Sequence, residues 1–295
     1  MLYDIRLSIR HDYGVPSPNA RTQVRLLPTD LPGRQIVRSR LLRVTPRPSE
    51  RDDVLDFFGN VMTTLAFHRP IASVELGLRA RVEVLEPPDS LDLSPDLKGL
   101  SAEAAAVRLL SAESPAHFIG ASPRVAPDTE ISAFAHALAA PGMTTTQIAE
   151  ALSQALHDEM QFDPGATDVH TPPSVAFAAR HGVCQDFSHI MIAGLRALGI
   201  PAGYVSGFLR TLPPPGKPRL AGADAMHAWV RVWCGSEVGW VEYDPTNACR
   251  AGTDHIAVAY GRDYGDVAPV KGVLRTAGPQ VSEHSVDVEP LEASG

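Results

Sequence analysis

Residues 181–189 read HGVCQDFSH and stand directly before a run of apolar residues at helical spacing. The run predicts a buried helix face made of Phe187, Ile190, Met191, Leu195 and Leu198. Gly199, followed by Pro201, ends the predicted helix. Cys184 therefore begins a helix, where free N–H groups and the helix dipole favour an anion such as a nucleophilic thiolate. A lone cysteine is also commonly a small buried core residue, and that alternative stays open.

A strand after this helix carries a candidate general base. Strands are predicted at 202–210, 226–234 and 238–244. In the second, MHAWVRVW, His227 shares one face with Trp229, while apolar residues form the other face. A base for a thiol must lie on a rigid element that faces the helix of the nucleophile, and a strand meets this need. A histidine beside tryptophan is often only structural, so His227 alone does not decide the matter.

The third predicted strand ends in a candidate partner for that base. Its sequence, GWVEYD, runs from Gly239 to Asp244. The short connection between the two strands predicts antiparallel pairing, which brings Asp244 close to His227. A carboxylate bonded to one imidazole nitrogen fixes the tautomer whose other nitrogen accepts the thiol proton. An aspartate before Pro245 can also simply begin a turn, but the ordered set of cysteine, histidine and aspartate is more specific than any one of them.

These segments together resemble the bacterial transglutaminase-like superfamily. The resemblance rests on HGVCQDFSH, LRALGIPAGYVSGF, MHAWVRVW, GWVEYDPTN and AYGRDYGDVAPVKGV, and it covers essentially the whole chain. It implies a catalytic triad of Cys184, His227 and Asp244. It also implies an α+β fold, in which a papain-like/transglutaminase core packs the cysteine helix on an antiparallel sheet and is preceded by an N-terminal β-sandwich domain.

Acyl transfer also needs donors for the negative charge that develops on the carbonyl oxygen. The backbone N–H of Cys184 is one natural donor. Gln185 is a candidate contributor, although a solvated position in the first helical turn fits it equally well. Tyr204 and Trp229 are further candidates for side chains that support the site.

Three regions are expected along the chain. Residues 1–88 alternate with period two between turn signals and predict the β-sandwich. Residues 89–143 are rich in Pro, Ala and Ser and predict a connector with short helices. Residues 144–290 are expected to form the transglutaminase-like catalytic domain. Within them, the Pro- and Gly-rich segment 211–225 is a candidate rim of the substrate cleft.

Composition and charge argue against several classes of partner. The net charge of -8, without runs of Lys or Arg, argues against nucleic acid and anionic membranes. Basic residues from Arg34 to Arg51 alternate with apolar ones and are interpreted as a solvated strand face rather than a phosphate-binding patch. No stretch reaches the roughly 20 apolar residues of a membrane helix, and the early charges do not fit a signal peptide.

The cysteine and histidine patterns bear on compartment and cofactors. The three cysteines have no framework spacing, which fits a reducing compartment, so a cytoplasmic location is expected. The sequence contains neither HExxH nor CxxC. Neither a metal nor another cofactor is therefore expected.

The expected function is that of a thiol-dependent amide-bond enzyme. The thiol of Cys184 would attack an amide carbonyl of a peptide or protein substrate, and His227 would protonate the leaving amine. Water would then release the acyl group, since the bacterial members of the family resemble cysteine peptidases and amidases. Release by an amine, which defines a transglutaminase, stays open, as does a non-catalytic binding module on the same fold. A homo-oligomer is compatible with the sequence.

Overall fold

The N-terminal region forms strands because its buried side chains alternate with exposed ones. In the first strand the buried side chains are Tyr3, Ile5, Leu7 and Ile9, the period-two pattern of a strand with one face on a core. The computed structural model describes residues 1–87, 91–211, 224–274 and 280–291. Its first strands are β1 (Leu2–Ser17), β2 (Ala20–Val24), β3 (Gln35–Thr45), β4 (Glu50–Leu55), β5 (Val61–Phe67) and β6 (Ile71–Val84).

One helix, which begins at Cys184, is buried along most of its length, and other helices pack against it. The chain leaves it through Gly199, whose φ of +76° lies in the left-handed region that favours glycine after a helix. The helices are α1 (Leu97–Ala106), α2 (Thr129–Leu138), α3 (Thr145–Glu159), α4 (Pro173–Ala179), α5 (Cys184–Ala197) and α6 (Tyr264–Val267), with a 3-10 helix at Pro115–His117. The helix predicted from the apolar spacing is α5.

An antiparallel sheet lies beside α5 and carries the other candidate site residues. Its strands are β9 (Ala202–Leu209), β10 (Ala225–Trp233), β11 (Trp240–Asp244), β12 (Cys249–Arg250) and β13 (His255–Gly261). The strands follow the order β12-β11-β10-β9-β13, and α5 packs on β9 and β10. The short strands β7 (Gln161–Phe162) and β8 (His181–Gly182) form a separate parallel pair just before α5. The predicted arrangement, a cysteine helix on an antiparallel sheet, is confirmed.

The last strands of the chain return to the N-terminal region. These are β14 (Val270–Leu274), which pairs with β2, and β15 (Gln280–Leu291), which pairs with β1. The two N-terminal sheets thus have the orders β15-β1-β6-β3 and β14-β2-β5-β4. The division at 88 and 143 stays a prediction, but the region 144–290 contains two strands whose partners lie in 1–88. Which sheet β15 joins does not follow from periodicity, because strand pairing is nonlocal.

Two expectations concern parts of the chain about which the structure says little or nothing. Most of the predicted substrate rim, 212–223 of 211–225, lies outside the described residues. In the parts of the chain that are described, no helix combines the length and the apolar character that a membrane crossing requires. The cytoplasmic location stays a prediction.

Candidate active site

The turn before Cys184 is fixed by a buried carboxylate two residues further on. Oδ2 of Asp186 accepts hydrogen bonds from the backbone N–H of Val183, at 2.8 Å, and from Oγ1 of Thr167, at 2.5 Å. A Cβ atom on Gly182 would lie 2.7 Å from Cβ of Asp186, so a larger residue would displace this carboxylate. Asp186 is fully buried, whereas Cys184 is partly exposed. The thiol is therefore presented at an accessible helix N-terminus.

The register of β10 and β11 brings His227 and Asp244 together. Val230 pairs with Tyr243, which places Asp244 opposite Trp229 and on the same sheet face as His227. Nε2 of His227 and Oδ2 of Asp244 are 2.7 Å apart, and the two residues are 7% and 0% exposed. The pairing inferred from the short connection between these strands is thus present.

The thiol of Cys184 completes the arrangement. It lies close enough to the His227 side chain to raise the pKa of that imidazole. Because Nε2 of His227 is bonded to Asp244, Nδ1 is the ring nitrogen left to exchange a proton with the sulfur. Burial alone would lower the pKa of His227, but the hydrogen bond with Asp244 and the interaction with the Cys184 thiol outweigh it and raise this pKa to about 10. The imidazole is therefore poised to hold a proton beside the sulfur at neutral pH.

The carboxylate of Asp244 accepts hydrogen bonds on both oxygens. Oδ1 accepts from the backbone N–H groups of Thr246, at 3.0 Å, and Asn247, at 3.2 Å. Oδ2 accepts from His227, from Nδ2 of Asn247 at 2.6 Å, and from Nε2 of His255 at 3.1 Å. Burial would raise the pKa of Asp244, but the bonds from His227 and His255 dominate and hold it well below its usual range. Asp244 thus stays ionised and orients His227 without taking its proton.

His227, Asp244 and His255 also have the composition of a metal site. Their ligand atoms lie within 4.8 Å of one another. However, Oδ2 of Asp244 already accepts three hydrogen bonds, which a metal ion would have to displace. The arrangement is better explained by hydrogen bonds to the Asp244 carboxylate than by a metal site. The expected absence of a metal stays a prediction.

Comparison with known proteins identifies the family. The family model of the transglutaminase-like superfamily matches residues 132–245, and that of the bacterial transglutaminase-like N-terminal region matches residues 3–84. An uncharacterized protein of Mycobacterium tuberculosis strain H37Rv is 34% identical over 257 residues, which are 85% of this chain and 81% of the relative. The chain belongs to the transglutaminase-like superfamily. The resemblance that its motifs indicated is confirmed.

Two other comparisons bear on the fold and activity of this transglutaminase-like chain. A crystal structure of a proposed cysteine protease from Cytophaga hutchinsonii matches with a TM-score of 0.77 and 19% identity, over 100% of this chain and 92% of that one. A protein-glutamine gamma-glutamyltransferase of Pseudomonas aeruginosa is 35% identical over 105 residues, 33% of this chain and 16% of the relative. The structural match confirms the predicted α+β fold, a papain-like/transglutaminase core preceded by a β region.

The other predicted residues of the transglutaminase-like site surround its three central residues. Gln185 is buried at the second position of α5, beside Cys184. Tyr204 is buried, and its ring centroid lies 5.1 Å from that of His189. Trp229 is fully buried and stacks on His227, with 6.1 Å between centroids and 30° between planes. Oxyanion binding by Gln185 and support by Tyr204 and Trp229 stay predictions.

Sequence reasoning missed two partners of Asp244. Asn247 belongs to the quoted stretch GWVEYDPTN, where only the aspartate was given a role. His255 begins β13, which lies on the far side of β9 from β10. Its approach to Asp244 depends on the order of strands in the sheet, for which a single sequence gives no local signal. Asn247 could have been found, because an amide three residues after an aspartate commonly folds back in a turn.

We expect acid to destabilise the protein partly through His189, the buried histidine of α5. Nε2 of His189 accepts the backbone N–H of Tyr264 at 3.1 Å, and burial lowers the pKa of His189 from 6.5 to about 4, although Asp263 nearby opposes the shift. Between these pH values His189 is protonated in the unfolded chain but neutral in the folded chain. The free energy of unfolding should therefore fall by about 3 kcal/mol as the pH drops through this window.

Urea unfolding between about pH 4 and pH 7 measures this contribution of His189. In His189→Gln the amide oxygen can still accept the N–H of Tyr264, but nothing titrates there. The variant should lack that part of the pH dependence. An unchanged pH slope would contradict the assignment.

Proposed function

We propose that this protein is a thiol-dependent amide-bond hydrolase, a cysteine peptidase or amidase, that acts on a peptide or protein through a thioester. The single observation that carries the proposal is the placement of Cys184, at the start of α5, beside His227, which is hydrogen-bonded to the buried carboxylate of Asp244. Its order and geometry are those that convert a thiol into a nucleophile and its neighbour into a proton donor. The match to a proposed cysteine protease agrees with this chemistry.

In the proposed reaction the sulfur of Cys184 attacks the amide carbonyl carbon, and the backbone N–H of Cys184 donates to the oxygen that becomes negative. Nδ1 of His227 gives its proton to the departing nitrogen, the C–N bond breaks, and the amine leaves. The acyl group remains on sulfur as a thioester. Water then loses a proton to Nδ1 and attacks the thioester, which releases the acid and restores the resting pair.

The neighbouring imidazole of His227 sets the thiol of Cys184 apart from the other two cysteines. Burial raises the pKa of Cys234 to about 12, and partial burial together with the charge of Asp244 raises that of Cys249 to about 11. Both side chains are therefore protonated at neutral pH. Among the described residues, the thiol at the start of α5 lies beside an imidazole that is bonded to a buried carboxylate.

We expect iodoacetamide at neutral pH to label Cys184 far faster than the other two cysteines, because the alkylated species is the thiolate. Peptide mapping by mass spectrometry after short exposure measures the three sites separately. The matched control is Cys249→Ala, which removes the exposed surface thiol and should leave the overall labelling rate unchanged. Labelling of Cys249 at least as fast as Cys184 would instead favour the non-catalytic binding module.

A transglutaminase is the second candidate, because a relative is named a protein-glutamine gamma-glutamyltransferase. Both reactions share the thioester and differ in what removes the acyl group. A glutamine-containing peptide offered together with a primary amine separates them. Deamidated or cleaved peptide in excess supports hydrolysis, whereas an excess of the amine adduct supports acyl transfer.

A further inference from the structure

A turn of the N-terminal region delivers an arginine to the core sheet. The backbone N–H of Arg34 donates to the carbonyl oxygen of Leu31 at 3.0 Å, and Gly33 between them has a φ of +71°, as this tight turn requires. The guanidinium then forms a two-pronged ion pair with Glu242 of β11, in which Nη2 and Oε2 are 2.5 Å apart. The alternating pattern around Arg34 predicted a solvated side chain, but this side chain is only 30% exposed.

Glu242 connects Arg34 to Trp229, which lies beside His227 in the candidate active site. It is 7% exposed, and its Oε2 atom accepts both from Arg34 and from Nε1 of Trp229. Trp229 in turn stacks on the ring of His227. The indole crosses over β9 at Gly207, where a Cβ atom would lie 2.5 Å from Cη2 of Trp229. The close approach to Gly207 thus limits where the indole can lie, and the hydrogen bond to Glu242 fixes its Nε1 atom.

The docking of the two regions has separate anchors. The amide of Gln35 donates to the carbonyl oxygen of Ala257 at 2.9 Å and accepts its N–H at 3.0 Å. The amide of Asn60 does the same with Tyr260, at 2.8 and 2.7 Å. These bonds satisfy the open edge of β13. Loss of Arg34 therefore leaves these two anchors in place and removes the ion-pair partner of Glu242, together with a 3.4 Å contact from Nη1 to the hydroxyl oxygen of Tyr260.

We propose that Arg34 is a positioning residue for the reaction proposed above, acting on His227 through Glu242 and Trp229. Without the guanidinium, the buried carboxylate of Glu242 loses its ion-pair partner, which favours a change in its position. Trp229 then loses its acceptor, and the surface on which the His227 ring rests moves. The N-terminal β region then contributes, through Arg34, to the geometry of the active site.

The test compares Arg34→Met, which keeps the apolar stem, with Arg38→Met on β3, whose guanidinium pairs with Glu83 inside the N-terminal region. The rate of Cys184 alkylation by iodoacetamide is measured, because it reports the thiol and its base without a substrate. Arg34→Met should lower this rate at neutral pH roughly tenfold or more, as expected when a base is misplaced. Its rate should also rise more steeply between about pH 6 and 9, as for an unassisted thiol. Arg38→Met should match the wild type in both.

A double-mutant cycle separates positioning from general loss of stability. In a Glu242→Gln background the ion pair is already broken, so Arg34→Met should cause almost no further loss of alkylation rate. Equal losses in both backgrounds would overturn the proposal, as would a wild-type rate and pH profile in Arg34→Met. If Arg34→Met does not fold, Glu242→Ala alone decides, because it removes the acceptor of Trp229: a wild-type rate overturns the proposal and a lowered rate supports it.

This inference and the proposed function fail in different ways. If Cys184 of the wild type alkylates no faster than Cys249, the proposed function fails. If the wild type reacts fast and Arg34→Met equals it, only the role of Arg34 fails.

Discussion

Cys184→Ala should abolish amide-bond turnover, with a loss of roughly 10⁴-fold or more, because no other group can form the thioester. The fold should persist. The side chain is partly exposed at the first position of α5, and alanine is a strong helix former. Hydrolysis of a peptide substrate, measured together with the melting temperature, gives both quantities.

The control for this variant is Cys249→Ala, which makes the same substitution at an exposed strand end. It should retain full turnover. Wild-type turnover in Cys184→Ala would show that the nucleophile is wrongly assigned. A large fall in melting temperature would mean that the cysteine has a structural role that its exposure does not indicate.

Asp244→Asn should lower turnover roughly 10³-fold while leaving some activity. The ionised carboxylate accepts Nε2–H of His227, which leaves Nδ1 free to exchange a proton with sulfur. An amide can turn its NH₂ group toward Nε2, which favours the tautomer with the proton on Nδ1. The base then no longer accepts the thiol proton.

Turnover of Asp244→Asn is compared with that of Asp158→Asn, which changes an exposed carboxylate near the end of α3. The control should be fully active. The loss in Asp244→Asn should appear in kcat/KM over the whole neutral pH range, because the wild-type carboxylate is ionised throughout it. Activity within a few-fold of wild type would mean that Asp244 does not orient the base.

The features predicted from sequence are those in which local pattern and close connection decide the structure. The apolar spacing after Cys184 gave α5, since a buried helix face has an unmistakable period. The short connection between β10 and β11 gave the contact of His227 with Asp244, because neighbouring antiparallel strands must approach. Family motifs then strengthened both inferences.

The features that sequence did not predict depend on contacts between distant segments. The contact of His255 with Asp244 depends on how the five strands of the sheet are arranged. Arg34 and Glu242 are 208 positions apart, and the alternating basic residues around Arg34 look solvated when taken alone. The return of β15 to β1 is of the same kind. To predict each of these contacts one must know which surfaces meet, and hydrophobic periodicity carries no such information.

The central claim is that the acyl group of the substrate is carried on Cys184. It is tested most directly by acid-quenching the enzyme during turnover of a peptide substrate and measuring the mass of each cysteine-containing fragment. The account predicts an acyl adduct on the fragment with Cys184, released by neutral hydroxylamine as a thioester and absent from Cys184→Ala. Turnover with no acyl adduct on Cys184, or with the adduct on another residue, would contradict it.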